Sequence, residues 1–491
     1  MATIAEYLNK LVDQKNTLAD NLVTKGVTAT HEETLDTLVP KVLEISGGGS
    51  GSGNGIYPIG EDGRPTGDVI VPDGVTSLHQ YVFCENNNIS SVNLPNTLTA
   101  LGKKCFYTCA NLTSLTIPDN VTDLGEYGCY KCTALTTVNL PKNLSKIGDF
   151  MFQYCSNLDT LIVPDDIANI SVGVRILEGT SVSNEAFTKL ASKVTTIYQY
   201  AFAEITSITE VTTNIVCSSC FDSCSNLQKV TILNPLSSGG FGQYVFRLCK
   251  KLTTVILPEN ATTITSYMFD GNSQLQDINF PKSITTIGNY AFNGCSSLYN
   301  LSLPQDISFT VGDYSFANTG ITDDDVQNIL LHATSVGAGV FKGCSSINNV
   351  EISINSKEMF RECTNLVTAI LNDITSIDRA IFYGCTSLKT VFLPSTITEA
   401  VSNSLTSTSS AYYVFYNCTA LEDVQLGQDW NMSLRLNVSN NLTVDSMVAM
   451  FNSLKDLTGE TAKVLTLGAT NLAKLTDEQK AIATNKNWTL A

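Results

Sequence analysis

Charge is scarce in this chain. Only 15% of its 491 residues are charged, against roughly 25% in an ordinary soluble domain, and serine, threonine, asparagine and glycine fill the difference. The little charge there is falls on one side: 29 Lys plus Arg face 46 Asp plus Glu, a formal net charge of −17. Such a surface repels a phosphate backbone, which excludes nucleic acid as a partner. Histidine is nearly missing, with His31, His79 and His332 its three occurrences. Metal centres and nucleophile–base pairs are therefore poorly served, and no catalytic residue, metal site or cofactor is predicted. No window holds the 18 or more apolar residues of a membrane span, so membrane insertion is not expected. The opening MATIAEYLNKLVDQ carries no apolar run behind a basic stretch, and nothing there predicts export.

What the chain does have is an internal repeat. Pro72, Pro95, Pro118, Pro141 and Pro164 are each 23 residues apart. One phrase surrounds them, in CANLTSLTIPDNVTDLGEYGC, CTALTTVNLPKNLSKIGDFMF and CSNLDTLIVP. It resumes in CKKLTTVILPENATTITSYMF, in LQDINFPKSITTIGNYAF and in CTSLKTVFLPSTITEA. Each unit places a cysteine three residues before a leucine, then alternates apolar residues into Leu-Pro or Ile-Pro, as in Cys109, Leu112, Leu115, Ile117 and Pro118. Alternation is the pattern of a strand with one buried face, and proline stops the strand and turns it. A second apolar pair, Val121 and Leu124, leads to an aromatic slot that closes the turn.

The slot runs through Phe83, Phe106, Cys129, Phe152, Phe202, Phe221, Phe246, Phe269, Phe292, Phe316, Phe341, Phe360, Phe382 and Phe415, which predicts about 14 coils. No coil can bury its own apolar edge, so neighbours must supply the core and the ends need caps. Departures from the phrase recur too. GTSVSNEAFTKLASKVTTIYQYAF and NTGITDDDVQNILLHATSVGAGVF align with Phe202 and Phe341 separated by 139 residues, as are Cys224 and Cys363, so the array has been duplicated in blocks. Within them Ser183 or Thr322 can cap a helix carrying Ala186, Phe187 and Leu190, or Val326, Ile329 and Leu330. These two coils are expected to carry a helix in place of the extended return.

The ends differ from the middle. Ile4, Leu8, Leu11, Leu18 and Leu22 share one helical face. Thr30 and Glu33 form a capping box for a second helix with Leu35, Leu38, Val42 and Ile45, predicting a helical hairpin that is also a candidate for homo-oligomerisation. GGGSGSGNG at 47–55 is a flexible tether. The closing segment predicts a helix from Val444 to Leu457, a strand from Val464 to Leu467 and a helix opening at Thr476, burying Leu465, Leu467 and Leu472 as a cap. The domain reading is thus 1–46 a helical attachment or oligomerisation head, 47–55 a linker, 56–426 the repeat array and 427–491 a C-terminal cap.

The repeated phrase resembles the BspA-like class of bacterial leucine-rich repeats, whose units end in an aromatic, a small residue and a cysteine before the next leucine. The resemblance covers roughly residues 57–426. It implies an α/β repeat, a leucine-rich-repeat solenoid with a stacked parallel sheet, here flanked by the N-terminal hairpin and an α/β cap. The N-terminal block with its glycine tether resembles the leader of tail-associated proteins of phages and prophages of Gram-positive bacteria, and the last 50 or so residues resemble the closing module of phage repeat proteins. Those two likenesses imply a tail-associated receptor-binding protein, located on the virion and assembled in the host cytoplasm. Its expected partners are a host-surface glycan or protein and, through the head, other tail or baseplate proteins. A cell-surface adhesin of the same repeat class and a polysaccharide-degrading tail protein are the alternatives.

Three constellations offer chemistry. Cys129 with Cys132, and Cys217 with Cys220, have zinc-site spacing. Yet Cys109, Cys132, Cys155, Cys224, Cys249, Cys295, Cys344, Cys363, Cys385 and Cys418 all hold one repeat slot, which Asn86, Ile205 and Asn272 hold elsewhere. A ladder of buried thiols is the expectation. The run Asp323, Asp324 and Asp325 offers carboxylates for calcium or catalysis, but also falls where negative charge meets a helix N-terminus. The third is the outward side of the strands, with short hydroxyls and amides suited to a glycan. The candidate contacts are Thr113, Thr116, Thr137, Asn139, Asp277, Asn279, Tyr299, Asn300, Asn349, Glu351 and Phe392. Tyr107, Tyr130, Tyr154, Tyr383 and Tyr416, beside the aromatic slot, either stack on sugars or pack over the turn.

Overall fold

The computed structural model describes residues 64–214, 216–233, 241–409 and 413–491, with Lys15, Asn16, Ala19, Asp20 and Thr30. The helical hairpin and the tether otherwise lie outside the described residues. The chain divides into two compact units, 1–226 and 227–491.

In the first unit five successive coils each contribute one short strand to each of two parallel sheets. The outer sheet stacks Gly67–Ile70, Ile89–Asn93, Ser114–Thr116, Thr137–Asn139 and Thr160–Ile162. Its register follows the 23-residue repeat, with Leu115 beside Val138 and Val138 beside Leu161. These central residues are buried while Ser114 and Thr116 are exposed, as alternation requires. After the strand the chain turns at proline, where Val121 N–H donates to Pro118 O at 3.0 Å. The second sheet is a ladder of two- to four-residue return strands running from Ser77–Leu78 to Val194–Ile197. The second unit repeats the scheme, with Lys229–Ile232, Thr254–Ile256 and Asp277–Ile278 in one sheet and Asn349–Ile352, Thr368–Leu371, Thr390–Leu393 and Asp423–Leu426 in another.

Between the sheets lies the aromatic slot. All fourteen slot residues are buried, and successive rings stack, as at Phe246–Phe269 (5.9 Å), Phe269–Phe292 (5.5 Å) and Phe292–Phe316 (5.3 Å). Between Phe152 and Phe202 the structure adds a turn with no aromatic. Ile176 O accepts from Phe152 N–H at 3.1 Å, and Leu177, fully buried, stands where the ring would be.

The turn around the slot holds a conformation that the sequence conceals. Residues two before and two after the slot adopt left-handed backbone: Lys104 and Thr108 around Phe106, Tyr267 and Gly271 around Phe269, Tyr290 and Gly294 around Phe292. The alternation points every second N–H across the stack. Tyr267, Phe269 and Gly271 N–H donate to Asn289, Ala291 and Asn293 O of the next coil at 2.9, 2.9 and 2.8 Å. A non-glycine residue costs about 1–2 kcal/mol in this region, which these inter-coil bonds offset.

Helices α1 (Asn184–Ala191) and α2 (Asp323–His332) form where expected. Ser183 caps α1 by accepting from Ala186 N–H, and Thr322 with Asp325 makes a full capping box. Their place in the coil differs from the expectation. The return strands remain, as Val194–Ile197 and Ala333–Val336, and the helix replaces the outer-sheet strand instead. The cause is local: after buried Val182 and Ile321 the capping residue comes at once, and apolar spacing of three and four replaces spacing of two. Helix α3 (Val444–Ser453), capped by Thr443 after buried Leu442, occupies the same place after the last outer strand.

The C-terminal segment continues with Lys463–Thr466, α4 (Ala469–Leu472), α5 (Asp477–Thr484) and Trp488–Leu490, the two strands pairing in parallel beside Leu434–Arg435. Helix α3 stops at Ser453, and Leu454 turns out extended. Leu465 and Leu467 are buried, but Leu472 is half-buried and Leu475 takes the inner place instead. The helix break before the Thr476 cap rotates that stretch.

Candidate functional site

The outward strand positions form columns. In the first unit Asp68, Ser91, Ser114, Thr137 and Thr160 are register partners along one, and Thr116, Asn139 and Ile162 along another. Thr116, Thr137 and Asn139 are thus brought onto one face, and Thr113 stands exposed just before its strand. Part of their hydrogen-bonding capacity is spent between coils: Thr113 Oγ1 donates to Ser90 O at 3.2 Å, and Asn139 Nδ2 donates to Thr116 Oγ1 at 2.8 Å.

In the second unit Asn349, Glu351 and Phe392 share a four-stranded sheet, with Glu351, Ile370, Phe392 and Gln425 in one register column. Asp323 of α2 holds Asn349 through both its N–H (3.0 Å) and its Nδ2 (3.1 Å), and Glu351 Oε1 accepts from Asn372 Nδ2 at 2.5 Å. Asp277 and Tyr299 are exposed, whereas Asn279 is turned onto the preceding coil, accepting from Leu257 N–H (2.6 Å) and donating to Leu257 O (3.0 Å). Asn300 is left-handed, and its N–H donates to Asp325 Oδ2 at 3.0 Å.

The slot-side tyrosines spend their faces on one another and on cations. Tyr107 stacks on Tyr130 and Tyr383 on Tyr416, both at 4.9 Å, and Tyr130 meets Tyr154 edge-on at 5.7 Å. Lys104 Nζ lies 4.7 Å from the Tyr107 ring centre, and the Arg361 guanidinium 4.1 Å from that of Tyr383. Tyr154 hydroxyl donates to buried Glu178 at 2.6 Å, and that bond, with burial, pushes its pKa up to about 12.

The thiol column is a hydrogen-bond ladder. Cys109, Cys132, Cys295, Cys363 and Cys418 Sγ donate to the slot carbonyls of Phe83, Phe106, Phe269, Phe341 and Phe382 one coil back, at 2.9–3.2 Å. Asn272 does the same with its amide, donating to Phe246 O at 3.0 Å. Thirteen of the fifteen cysteines are buried and two, Cys84 and Cys217, half-buried; none forms a disulfide. Burial pushes the Cys344 thiol up to about 11 and Cys224 up to about 12. Thiols of this kind resist ionisation, and the thiolate is what metals and electrophiles need. Two of the three acids in the run are likewise occupied. Asp325 accepts from Leu301 N–H at 2.6 Å, Asp323 accepts from Asn348 N–H at 2.6 Å, and both sit in the first turn of α2. Among the described residues no group of three or more His, Cys, Asp or Glu is placed to hold a metal.

Sequence reading of the strands passed over the helix-flanked steps in the outer face. In the first unit α1 stands beside Glu210–Thr213 and opens a groove walled by Glu185, Thr188 and Thr212. In the second, α2 stands beside Asn349–Ile352 and opens one walled by Asp324, Gln327 and Glu351. The helical spacing and the 139-residue offset were the available signals.

With this geometry stands the family. Over residues 65–175, 177–240, 214–348, 311–412 and 334–435 the sequence matches the BspA type leucine-rich repeat region, and the chain belongs to that family. No curated protein matches it. Among solved structures it is similar to a leucine-rich repeat protein from Bacteroides ovatus, at 19% identity over 80% of this chain and 88% of that one with a TM-score of 0.41. It is similar also to a leucine rich cell surface protein from Faecalibacterium prausnitzii, at 19% identity over 73% and 87% with a TM-score of 0.31. A third is a leucine-rich repeat protein from Eubacterium ventriosum, at 18% identity over 74% and 87% with a TM-score of 0.31.

Proposed function

We propose that this protein is a noncovalent recognition protein of phage or prophage tails, which reads a host-surface glycan or glycosylated protein with its repeat array. One observation carries the binding part. The outer face is a registered field of short hydroxyls and amides with scattered carboxylates, and Asp323 and Asp325 beside it already hold backbone N–H groups. A glycosidase needs two acids facing one bond; at the α2 step Asp323 and Asp325 hold backbone N–H groups and Glu351 accepts from Asn372, which leaves Asp324. The tail setting rests on the resemblance of the N-terminal leader and the closing module. The head would dock on the tail or baseplate, the tether would let the array search, and several copies on one particle would combine weak contacts through effective concentration.

The test is adsorption. Labelled full-length protein is added to a panel of Gram-positive cells, with and without competing phage. Cell decoration together with reduced phage adsorption is the expected result. Decoration without competition would favour an adhesin, and neither effect would sink surface recognition. New reducing ends after incubation with purified wall polymer would mark a degrading enzyme instead.

A further inference from the structure

The two grooves are copies. The first, of 510 Å³, is walled by Glu185, Thr188, Lys189, Ser192 and Thr212. The second, of 520 Å³, is walled by Asp324, Gln327, Asn328, Leu331 and Glu351. Each residue of the first set lies 139 positions before its counterpart in the second. The anchoring is copied as well: Asn184 Oδ1 accepts from Thr209 N–H at 2.8 Å, and Asp323 Oδ1 accepts from Asn348 N–H at 2.6 Å. At the equivalent place in each unit, the first residue of the helix pins the next strand and holds the step open.

Coil packing explains the walls only in part: Gln327 Nε2 donates to Glu351 O at 2.8 Å and Glu351 accepts from Asn372. Thr188, Ser192, Thr212, Gln327 and Glu351 are exposed, and Leu331 is 76% exposed at a helix end. The duplication has kept the grooves while every one of the five wall residues changed. At these volumes both fall within the roughly 300–1,000 Å³ of small-molecule sites.

We infer that the two grooves are two equivalent sites, one in each unit, each binding a neutral oligosaccharide, a reading that rests on the surface-recognition function above and gives it a location and a ligand class. Hydroxyls, amides and carboxylates on the walls supply the mix of donors and acceptors that sugar hydroxyls pair with. Leu331 in the second groove, and Ile162 (47% exposed) across α1 from the first, offer aliphatic surface to the C–H face of a pyranose. Acidic sugars are disfavoured. The lysine of the first groove, Lys189, is held by Asp165 at 2.8 Å, and the second groove is walled by two carboxylates and no cation.

Calorimetric titration of the full-length protein with cellohexaose, chitohexaose, maltohexaose and hexagalacturonate tests this. At least one neutral hexasaccharide should bind at two sites per chain, with hexagalacturonate about tenfold weaker or more because like charges oppose it. Thr188→Trp and Gln327→Trp sit at exposed helix positions; each should leave one site, and the double variant none. Ser192→Trp and unchanged melting temperatures check that loss is not unfolding. Thr196→Trp, at an exposed position of the Val194–Ile197 return strand, should change nothing. Binding that Thr116→Trp, on the open strand face, abolishes and the groove variants spare would overturn the grooves. Preference for hexagalacturonate, or no neutral binding, would overturn the ligand class. If the full-length protein still decorates cells in either case, surface recognition survives the failure; if decoration is lost as well, both fall.

Discussion

A single slot shows how one residue type serves the coil. A thiol three residues before the strand leucine is small enough to be buried and carries one weak donor, which reaches the slot carbonyl one coil back. Asn272 performs the same task, so what matters is a short side chain with a hydrogen. Iodoacetamide at pH 8 should modify Cys84 and Cys217 in the folded protein and the other thirteen after unfolding, as mass spectrometry can count; rapid labelling of Cys295 in the native state would contradict the ladder. The sign of the pH effect follows. Burial raises these pKa values, so the contribution is fully present below the ordinary thiol pKa near 9 and is lost as pH rises toward 11 and 12, the values for Cys344 and Cys224. The melting temperature should therefore fall progressively above pH 9. Left-handed residues offer a second test. Ala380 has φ of 54° and is fully buried; Ala380→Gly should raise stability by about 0.5–1 kcal/mol in denaturant melts, because glycine tolerates this region.

The coil is defined by how closely elements approach. Gly125 follows a return strand, and a Cβ there would lie 2.7 Å from Leu101 O and 2.9 Å from Lys103 N. Backbone cannot yield as a side chain tip can, so Gly125→Ala should cost about 1–3 kcal/mol, read as a shift in the urea midpoint with m unchanged. Element boundaries were legible in the sequence wherever the period was clean: the 23-residue strands, the Ser183 and Thr322 caps and the Thr476 cap all stand where the spacing puts them. The misplacement of α1 and α2 within the coil had a physical origin. Composition tells that a helix forms, but which sheet loses its strand depends on where the chain re-enters the stack. The grooves beside those helices were hidden for the same reason, since they arise from the height difference between a helix and a strand. The tyrosines at left-handed positions gave no warning, because Tyr244, Tyr267, Tyr290 and Tyr314 stack at 4.6–5.0 Å and recover the strain through contacts with other coils.

At the scale of the whole molecule, stacking creates ends as well as a core. At the C-terminal end Thr443 N–H donates to Glu422 O at 2.9 Å and Val424 N–H to Ser446 Oγ at 2.8 Å, with Met447, Met450 and Phe451 buried. A chain ending at residue 426 leaves that strand edge and its apolar row uncovered, and it should aggregate in size-exclusion chromatography. Charge pairs ride on the repeat, as in Lys103 with Glu126 at 2.6 Å and Lys146 with Asp123 at 3.4 Å, each pair 23 residues apart. Exposed pairs of this kind add little stability. With so few cations on the outer face, cell binding should change little between low and physiological salt, in contrast to a charge-driven interaction.

From sequence alone came everything that depends on periodicity: the coil length, the alternation that buries one strand face, the thiol slot, the helix caps and the block duplication. Each is a local rule restated along the chain, and repetition makes a local rule visible. What the tertiary structure alone decided depends on neighbouring coils: the left-handed turns that aim N–H groups across the stack, the commitment of Asn279 and Asp323 to backbone and of Asn349 to Asp323, and the steps that turn a flat face into two grooves. Those features come from the meeting of residues about a coil apart, and only the register of stacking determines which atoms meet.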